Sequence, residues 1–187
     1  MRGPGLLSLA DALLLFRQVG GGSPHWCFPD LFCRIPIIMT TPDQLRHTIQ
    51  AVLNSQIQAV LATQHQQQPH TSLMAFVATP DLRRIGLATV RATRKYANVL
   101  ANPRVSLLID NRCNAATDYR NAVAISAQGT AHAVEQAQHP ELLELYLNRH
   151  PSLHDFVTAA DCALLQLNVE SYWVVSQFQS VAEWRPD

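Results

Sequence analysis

The sequence predicts a mainly β protein, an antiparallel barrel with short flanking helices. Six or so short segments rich in apolar and β-branched residues follow one another along the chain, and turn residues separate them. Helical patterns do not alternate with these segments, as they would in a doubly wound α/β sheet. The length of 187 residues favours one domain that buries its own core without metals or disulfides.

The first 38 residues differ in pattern from the rest of the chain. GGGSP at 20–24 is typical of a linker, and the apolar stretch that follows has neither helical nor strand periodicity. We interpret residues 1–38 as a poorly ordered N-terminal extension, Met39 as the natural start and residues 39–187 as the folded domain. A native tail would have the same pattern. The apolar run at 6–16 is short and contains Asp11, which argues against a secretory signal.

The folded domain is predicted to begin with a helix. Thr41 is a suitable N-cap, Pro42 suits the first helical position, and Gln44 completes a capping box. The residues that follow at helical spacing form one apolar face: Leu45, Ile49, Val52 and Leu53.

Strands follow this helix in sequence. The alternation of apolar and polar residues predicts strands over 58–64, 71–79, 84–89, 104–110 and 122–134. QQQPH at 66–70 is a polar turn, and Gly129 marks a bend or bulge in the fifth strand.

Helices and a final pair of strands complete the domain. A helix over 93–101 ends before Asn102 and Pro103, because the residue preceding a proline avoids helical geometry. Two further helices are predicted in HPELLELYLNRHP and PSLHDFVTAA, and two last strands in CALLQLNV and ESYWVVSQF.

Composition excludes several classes of protein. Fourteen basic residues balance fourteen acidic ones and only 15% of residues are charged, which argues against a nucleic-acid binder. With 48% hydrophobic residues, part of the surface is expected to be buried in a homo-oligomer. No apolar run is long enough to span a membrane. We expect a cytoplasmic protein.

No metal site is predicted. Cys27, Cys33, Cys113 and Cys162 form no C-x-x-C pair and have no zinc-like spacing with histidine, so we interpret them as reduced thiols. Two histidine pairs, His65 with His70 and His150 with His154, lie in polar segments beside proline and lack an evident third ligand. No catalytic triad can be argued from spacing.

Three cations gather where the third strand gives way to a helix: Arg91, Arg94 and Lys95. The amino end of a helix carries a partial positive charge, so this placement is unfavourable by itself. A bound phosphate would reverse the sign, with Thr93 capping the helix and Thr89 offering a further hydroxyl. The alternative, equally compatible with the pattern, is that the cations are solvated or pair with Asp110 or Glu135.

The run GLATVRATRKYANVLANPRVSLLIDN, at 86–111, resembles the signature of the pyridoxamine 5′-phosphate oxidase-like FMN-binding split barrels. The similarity extends over most of 56–134 and more weakly to the end. It implies a six-stranded antiparallel split β-barrel and a homodimer that holds flavin mononucleotide (FMN) in two clefts between subunits.

The resemblance also implies site residues. Thr89, Arg94 and Lys95 match positions that contact the flavin phosphate. A strand whose backbone lies against the isoalloxazine ring carries Ser72, Leu73, Met74 and Ala75, within one residue in register. Trp173 resembles an aromatic residue that approaches the cofactor from the partner subunit, and a core tryptophan is the alternative.

Departures from the family pattern concern the substrate. Ala75 stands where the oxidase has a substrate-binding Lys, and Ala124 stands near an expected Gln. Tyr146 and Arg149 resemble a pair that grips the substrate phosphate, but their spacing differs by one. Vitamin B6 oxidation is therefore not expected, since a site that recognises a polar group needs its donors.

The hypothesis is thus an FMN-binding oxidoreductase with an unidentified small-molecule substrate. The flavin would supply the redox chemistry, so no catalytic residue is assigned. Two alternatives stay open: a non-enzymatic flavin-binding module for storage or sensing, and the same fold with a deazaflavin or haem.

Overall fold

The structure is a computed structural model that describes residues 41–177 and 180–187. The expected extension at 1–38 and the start at Met39 lie outside these residues. The described strands are β1 Gln58–His65, β2 Gln68–Ala78, β3 Arg84–Val90, β4 Arg104–Asp110, β5 Ala124–Val134, β6 Cys162–Ser176 and β7 Ser180–Trp184. The described helices are α1 Pro42–Ser55, α2 Arg94–Ala101, α3 Asp118–Asn121, α4 Pro140–Arg149 and α5 His154–Thr158, with 3₁₀ turns at Gln136–Gln138 and Pro151–Leu153.

Six of the strands close into an antiparallel barrel. The sheet order is β3-β2-β1-β4-β5-β6-β7, and a further pairing of β3 with β6 closes the ring of six. The extra strand, β7, pairs with the last five residues of β6. The fold class predicted from the sequence is confirmed.

The barrel is split at one end, because β3 pairs with β2 over a shorter length than it pairs with β6. Residues 85–87 of β3 pair with 76–78 of β2, whereas all of β3 pairs with residues 162–168 of β6. The first eight residues of β2 and the last eight of β6 therefore lie beyond the β3 ladder. From these two segments, Met74, Val169, Tyr172 and Val174 lie in the same core cluster as the predicted apolar face of α1, which is buried.

The start of α1 confirms the predicted capping box. The backbone N–H of Gln44 donates to the Thr41 hydroxyl at 3.3 Å, and the N–H of Thr41 donates to the Gln44 side-chain oxygen at 3.0 Å. Proline occupies the first helical position.

A bulge lies at Gly129 as predicted, but its extra residue is Glu170 of β6 and not a residue of β5. The register of β5 against β6 shifts between Gln128 and Gly129. A β-carbon at position 129 would overlap the backbone carbonyl of Asn168, so only glycine fits this close approach.

The prediction of two final strands was wrong, because β6 is one continuous strand of fifteen residues. No turn residue separates the two predicted halves, and the bulge at Gly129 lets β5 remain paired on both sides of residue 170. The sequence prediction also missed β7, and it made the turn after β1 too long. Gln66 and Gln67 alone turn the chain, both with positive φ, and β2 starts at Gln68.

Two outer surfaces of the barrel differ in what covers them. Helices α4 and α5 pack over one, where Leu142, Tyr146 and Val157 meet outward side chains of β2, β3 and β6. On the other surface a lateral row of paired residues crosses five strands, and its side chains are half-buried or exposed. We call it the outer row: Leu73, Val60, Leu108, Ser126 and Trp173.

Candidate functional site

The turn from β3 into α2 is held by two threonines. Thr89 ends the buried part of β3 with 3% exposure, and its hydroxyl lies 3.1 Å from that of Thr93. The Thr93 hydroxyl donates to the carbonyl of Val90 at 2.9 Å and accepts from the N–H of Tyr96 at 3.4 Å. Thr93 is thus the N-cap that the sequence predicted, and Thr89 fixes its position.

Arg94 and Lys95 are the first two residues of α2. Arg94 is exposed and Lys95 is half-buried. Within residues 41–177 and 180–187, neither side chain makes a hydrogen bond or an ion pair. Asp110, one of the two carboxylates considered as a partner, pairs with Arg112 at 3.2 Å instead. The pairing alternative is therefore wrong for Asp110.

Arg91 is placed apart from these two cations. Its guanidinium donates to the Tyr96 hydroxyl at 2.9 Å and lies 5.8 Å from the centroid of that ring. Its backbone N–H donates to the carbonyl of Asp161 at 2.9 Å. Arg91 thus has contacts of its own in the protein, whereas Arg94 and Lys95 remain available to a ligand.

A buried amide fixes α2 on the barrel. Asn98 is 3% exposed, and its side-chain amide donates to the Thr63 hydroxyl of β1 at 3.0 Å. The Thr63 hydroxyl in turn lies 3.4 Å from the carbonyl of His70. The sequence pattern did not predict this link. The sequence contains one indication of it: an asparagine stands three residues after Lys95, at a helical position where apolar residues are usual.

The structure brings residues 72–75 close to this turn. The β2–β3 ladder ends at Phe76 opposite Leu87, two residues from Met74 along β2 and two residues from Thr89 along β3. Met74 points into the core, while Leu73 is 63% exposed on the outer face. From residue 75 back to Gln68, β2 pairs with β1 and not with β3. The edge of β2 beside Thr89 is consequently an open main-chain edge.

Trp173 lies far from this turn in the same chain. Thr89 pairs with Ala163 at the start of β6, and Trp173 follows ten positions later on the same strand. At ~3.3 Å per residue the separation along the strand is about 33 Å. The Trp173 side chain is 39% exposed and belongs to the outer row, so the alternative of a core tryptophan is wrong.

Tyr146 and Arg149 are occupied in packing. Tyr146 is 1% exposed, and burial raises its pKa from 10.0 to about 12, so its phenol stays neutral. The guanidinium of Arg149 donates to the carbonyls of Leu53 at 2.7 Å and Asn54 at 3.1 Å, at the carboxyl end of α1. Neither residue is placed to grip a substrate phosphate.

The histidine pairs form no metal site. The Nε2 atom of His150 lies 2.8 Å from the backbone carbonyl of Phe76 in the protein interior. Among the residues that the structure describes, no cluster of three or more His, Cys, Asp or Glu side chains could hold a metal ion. No helix in the described residues is long and apolar enough to span a membrane.

A closed barrel with one split end, and with a cationic helix start beside that split, defines the class of split β-barrel proteins. The family model for pyridoxamine 5′-phosphate oxidase matches residues 45–176, and the chain belongs to that family. No curated protein sequence matches the chain significantly.

Solved structures share the fold at low sequence identity. A heme binding protein from Mycobacterium smegmatis is 14% identical with a TM-score of 0.67, and the match covers 80% of this chain and 60% of that protein. General Stress Protein 26 from Bacillus anthracis is 19% identical with a TM-score of 0.58, covering 75% and 98%. A FAD-binding protein from Mesorhizobium loti is 15% identical with a TM-score of 0.56, covering 68% and 91%.

Proposed function

We propose that the protein is an FMN-binding flavoprotein, and that it acts as an oxidoreductase on a small molecule. The observation that carries the proposal is the pair Arg94 and Lys95, two cations without a protein partner among the described residues, beside the buried hydroxyl of Thr89. Bound flavin supplies the electron transfer, and the protein binds and orients it.

The start of α2 has the chemistry of a phosphate site. The backbone N–H groups of Arg94 and Lys95 donate to no described residue. The Thr93 hydroxyl accepts from the N–H of Tyr96 and leaves these two without a partner among the described residues. Free N–H groups and the helix dipole favour an anion here. A phosphate would also accept from the Arg94 fork and the Lys95 ammonium, which offsets the cost of placing cations at a helix start.

The open edge of β2 supports the position of the isoalloxazine ring. Residues 72–75 present main-chain donors and acceptors beside the proposed phosphate site, and the ring of a flavin carries polar atoms that match such groups. Leu73 adds an exposed apolar side chain. Ser72, Leu73, Met74 and Ala75 are therefore the proposed ring contacts.

The outer row supports a homodimer with this site at the interface. Its five side chains carry no charge, and Leu73 and Trp173 at its two ends are exposed. In an isologous pair, a two-fold axis running along β4 reverses the order of strands in the partner. The partner subunit's Trp173 then lies over Leu73. Each Trp173 therefore contributes to the site of the other subunit, whereas in its own chain it lies about 33 Å along β6 from the position that pairs with Thr89.

The test compares two ligands that differ only in the phosphate. In the double variant Arg94→Ala, Lys95→Ala, the Kd for FMN should rise by about 100-fold or more, because two charge-assisted hydrogen bonds are lost. The Kd for riboflavin should stay within about threefold. Quenching of flavin fluorescence on titration measures both.

Arg83→Ala, Arg120→Ala is a matched control, because it removes two exposed cations that lie away from α2. FMN affinity should not change in this control. Equal losses of FMN and riboflavin affinity in the α2 variant would contradict the phosphate role.

The spectrum of the purified protein separates the cofactor alternatives. One structural relative is named a FAD-binding protein and another a heme binding protein, so FAD and haem are the competing groups to test. Reduction of bound flavin by a nicotinamide nucleotide, followed by reoxidation, would favour an enzyme. Flavin that binds but is not reduced would favour a storage or sensing module.

A further inference from the structure

A groove of about 380 Å³ lies on the surface that carries the outer row, and Leu108 of that row is one of its lining residues. Its apolar floor is formed by Leu108, Ala124 and Val175, on three adjacent strands. The segment between β4 and β5 forms its wall, with Arg112 and Tyr119.

Hydrogen bonds order this wall. The Asp118 carboxylate accepts from the backbone N–H groups of Cys113 at 2.9 Å and Ala115 at 3.0 Å. The side-chain oxygen of Asn111 accepts from the N–H of Val123 at 2.7 Å. The wall is thus preorganised, although its sequence, NRCNAATDYRN, is typical of a loop.

Asp110 orients the Arg112 side chain. One Asp110 carboxylate oxygen accepts from the Arg112 backbone N–H and from its Nε, both at 3.2 Å. The two terminal nitrogens of Arg112 make no hydrogen bond with any residue in the described part of the chain, and the side chain is 60% exposed. The guanidinium therefore presents free donors in a fixed direction.

The charges at the groove favour a neutral ligand. One guanidinium faces two carboxylates, those of Asp110 and Asp118. An anion that approached Arg112 would also meet the negative charge of the carboxylates, and a cation would meet Arg112. An uncharged molecule with an acceptor oxygen can use the Arg112 donors without either repulsion. The apolar floor and the Tyr119 ring suit a planar ligand.

We propose that this groove is the substrate half-site that each subunit lends to the flavin of its partner. Its ligand is a small, planar, uncharged aromatic molecule with a hydrogen-bond acceptor oxygen at its edge. The inference rests on the proposed function. With the two-fold axis along β4, residues at the same height along the strands of the two subunits face each other. Ala124 and Val175, which pair with each other, then lie over Ala75 of the partner subunit.

Three aromatic probes of similar size and different charge test the charge preference. Benzamide, benzoate and benzylamine are titrated into the FMN-loaded protein, and the change in flavin absorbance gives each Kd. Benzamide should bind at least about tenfold more tightly than either charged probe. Tighter binding of benzoate or benzylamine would overturn the proposed substrate class.

Two variants test the location. Arg112→Ala should weaken benzamide binding by about tenfold, the loss of one charge-assisted hydrogen bond, and leave the Kd for FMN unchanged. Arg120→Ala, in α3 of the same segment, is the control and should change neither. Ala124→Phe fills the floor of the groove from an outward position, and it should abolish benzamide binding when FMN is present at a concentration that saturates the variant.

The experiments distinguish a failure of the proposed FMN-binding function from a failure of the groove proposal alone. A protein that does not bind FMN would contradict the proposed function and this inference with it. A protein that binds FMN, but whose spectrum does not respond to benzamide or whose response survives Arg112→Ala and Ala124→Phe, would overturn only the groove.

Discussion

Lys95 is the sole lysine of the chain. Its ammonium is half-buried at the start of α2, next to the exposed Arg94 and a short distance along the chain from Thr89. A compact point charge with three rotatable donors suits a phosphate oxygen, while the planar guanidinium of its neighbour can hold two oxygens at once. The proposed site thus combines both kinds of cation.

This composition permits a direct measurement at one side chain. An amine-selective reagent can modify only Lys95 and the N-terminal amine, and mass spectrometry separates the two products. Saturating FMN should slow labelling of Lys95 by about tenfold or more, because a phosphate bound to the ammonium shields it from the reagent. Riboflavin should give much weaker protection, and labelling of the N-terminus should not change. Equal protection by both ligands would show that the flavin ring, and not the phosphate, shields Lys95.

Arg149 shows why a resemblance in sequence does not by itself locate a substrate site. Arg149 resembles an arginine that grips the substrate phosphate, with a spacing that differs by one, and in the structure it instead closes the end of α1 through backbone carbonyls. Burial lowers its pKa, although an arginine remains protonated. Spacing alone cannot show this, because the carbonyls that Arg149 binds lie almost a hundred residues earlier in the chain.

Among the elements, β5 depends most on one backbone position. A side chain at Gly129 would collide with the backbone of β6, whereas one at Gly86 would come within 3.0 Å of the flexible side chain of Leu142. Gly129→Ala should lower the free energy of unfolding by about 3 kcal/mol or more, because backbone must move. Gly86→Ala should cost about 1 kcal/mol, since a side chain can shift.

Urea denaturation of the two variants measures the difference. A loss in Gly129→Ala no greater than that in Gly86→Ala would show that the bulge can relax, and that the glycine is not required there. The slope of the transition should be the same for both variants if each unfolds from the native fold.

The elements predicted correctly are those that local chemistry specifies. The capping box of α1, the proline after α2 and the glycine of the bulge act within a few residues, so the sequence carries their signals directly. The length of β6 depends on pairing with two distant strands, and β7 exists only because β6 offers it an edge. Tertiary pairing of this kind has no local signal.

The candidate site was predictable to a similar extent. The helix start and its cations follow from the sequence, and Thr93 caps α2 as expected. The Asn98 anchor on Thr63 and the backbone contact of Arg91 with Asp161 needed coordinates, because both partners are distant in the chain. Flavin binding and the contribution of Trp173 stay predictions.

For the whole molecule, the outer row makes a prediction about assembly. Leu108 lies at its centre, half-buried and with Val60 and Ser126 as lateral neighbours. Leu108→Arg would set two like charges against each other across a two-fold axis, at a cost of several kcal/mol. The variant should sediment as a monomer and bind FMN at least about tenfold more weakly.

Phe156→Arg is the matched control, because Phe156 is an exposed apolar residue on α5, away from the outer row. This variant should sediment as the unchanged protein does. A dimer that persists in Leu108→Arg would place the interface on another surface, and the proposed approach of Trp173 to the flavin would then be wrong.

The continuity of β6 has a genetic consequence. Thr89 pairs near the beginning of this strand and Trp173 lies near its end, so each subunit would contribute a different part to each of two sites. A chain damaged at Arg94 and Lys95 and a chain damaged at Trp173 are therefore complementary. When the two are mixed, half of the sites in a mixed dimer receive both defects and the other half receive none, which is how intragenic complementation arises between two inactive alleles.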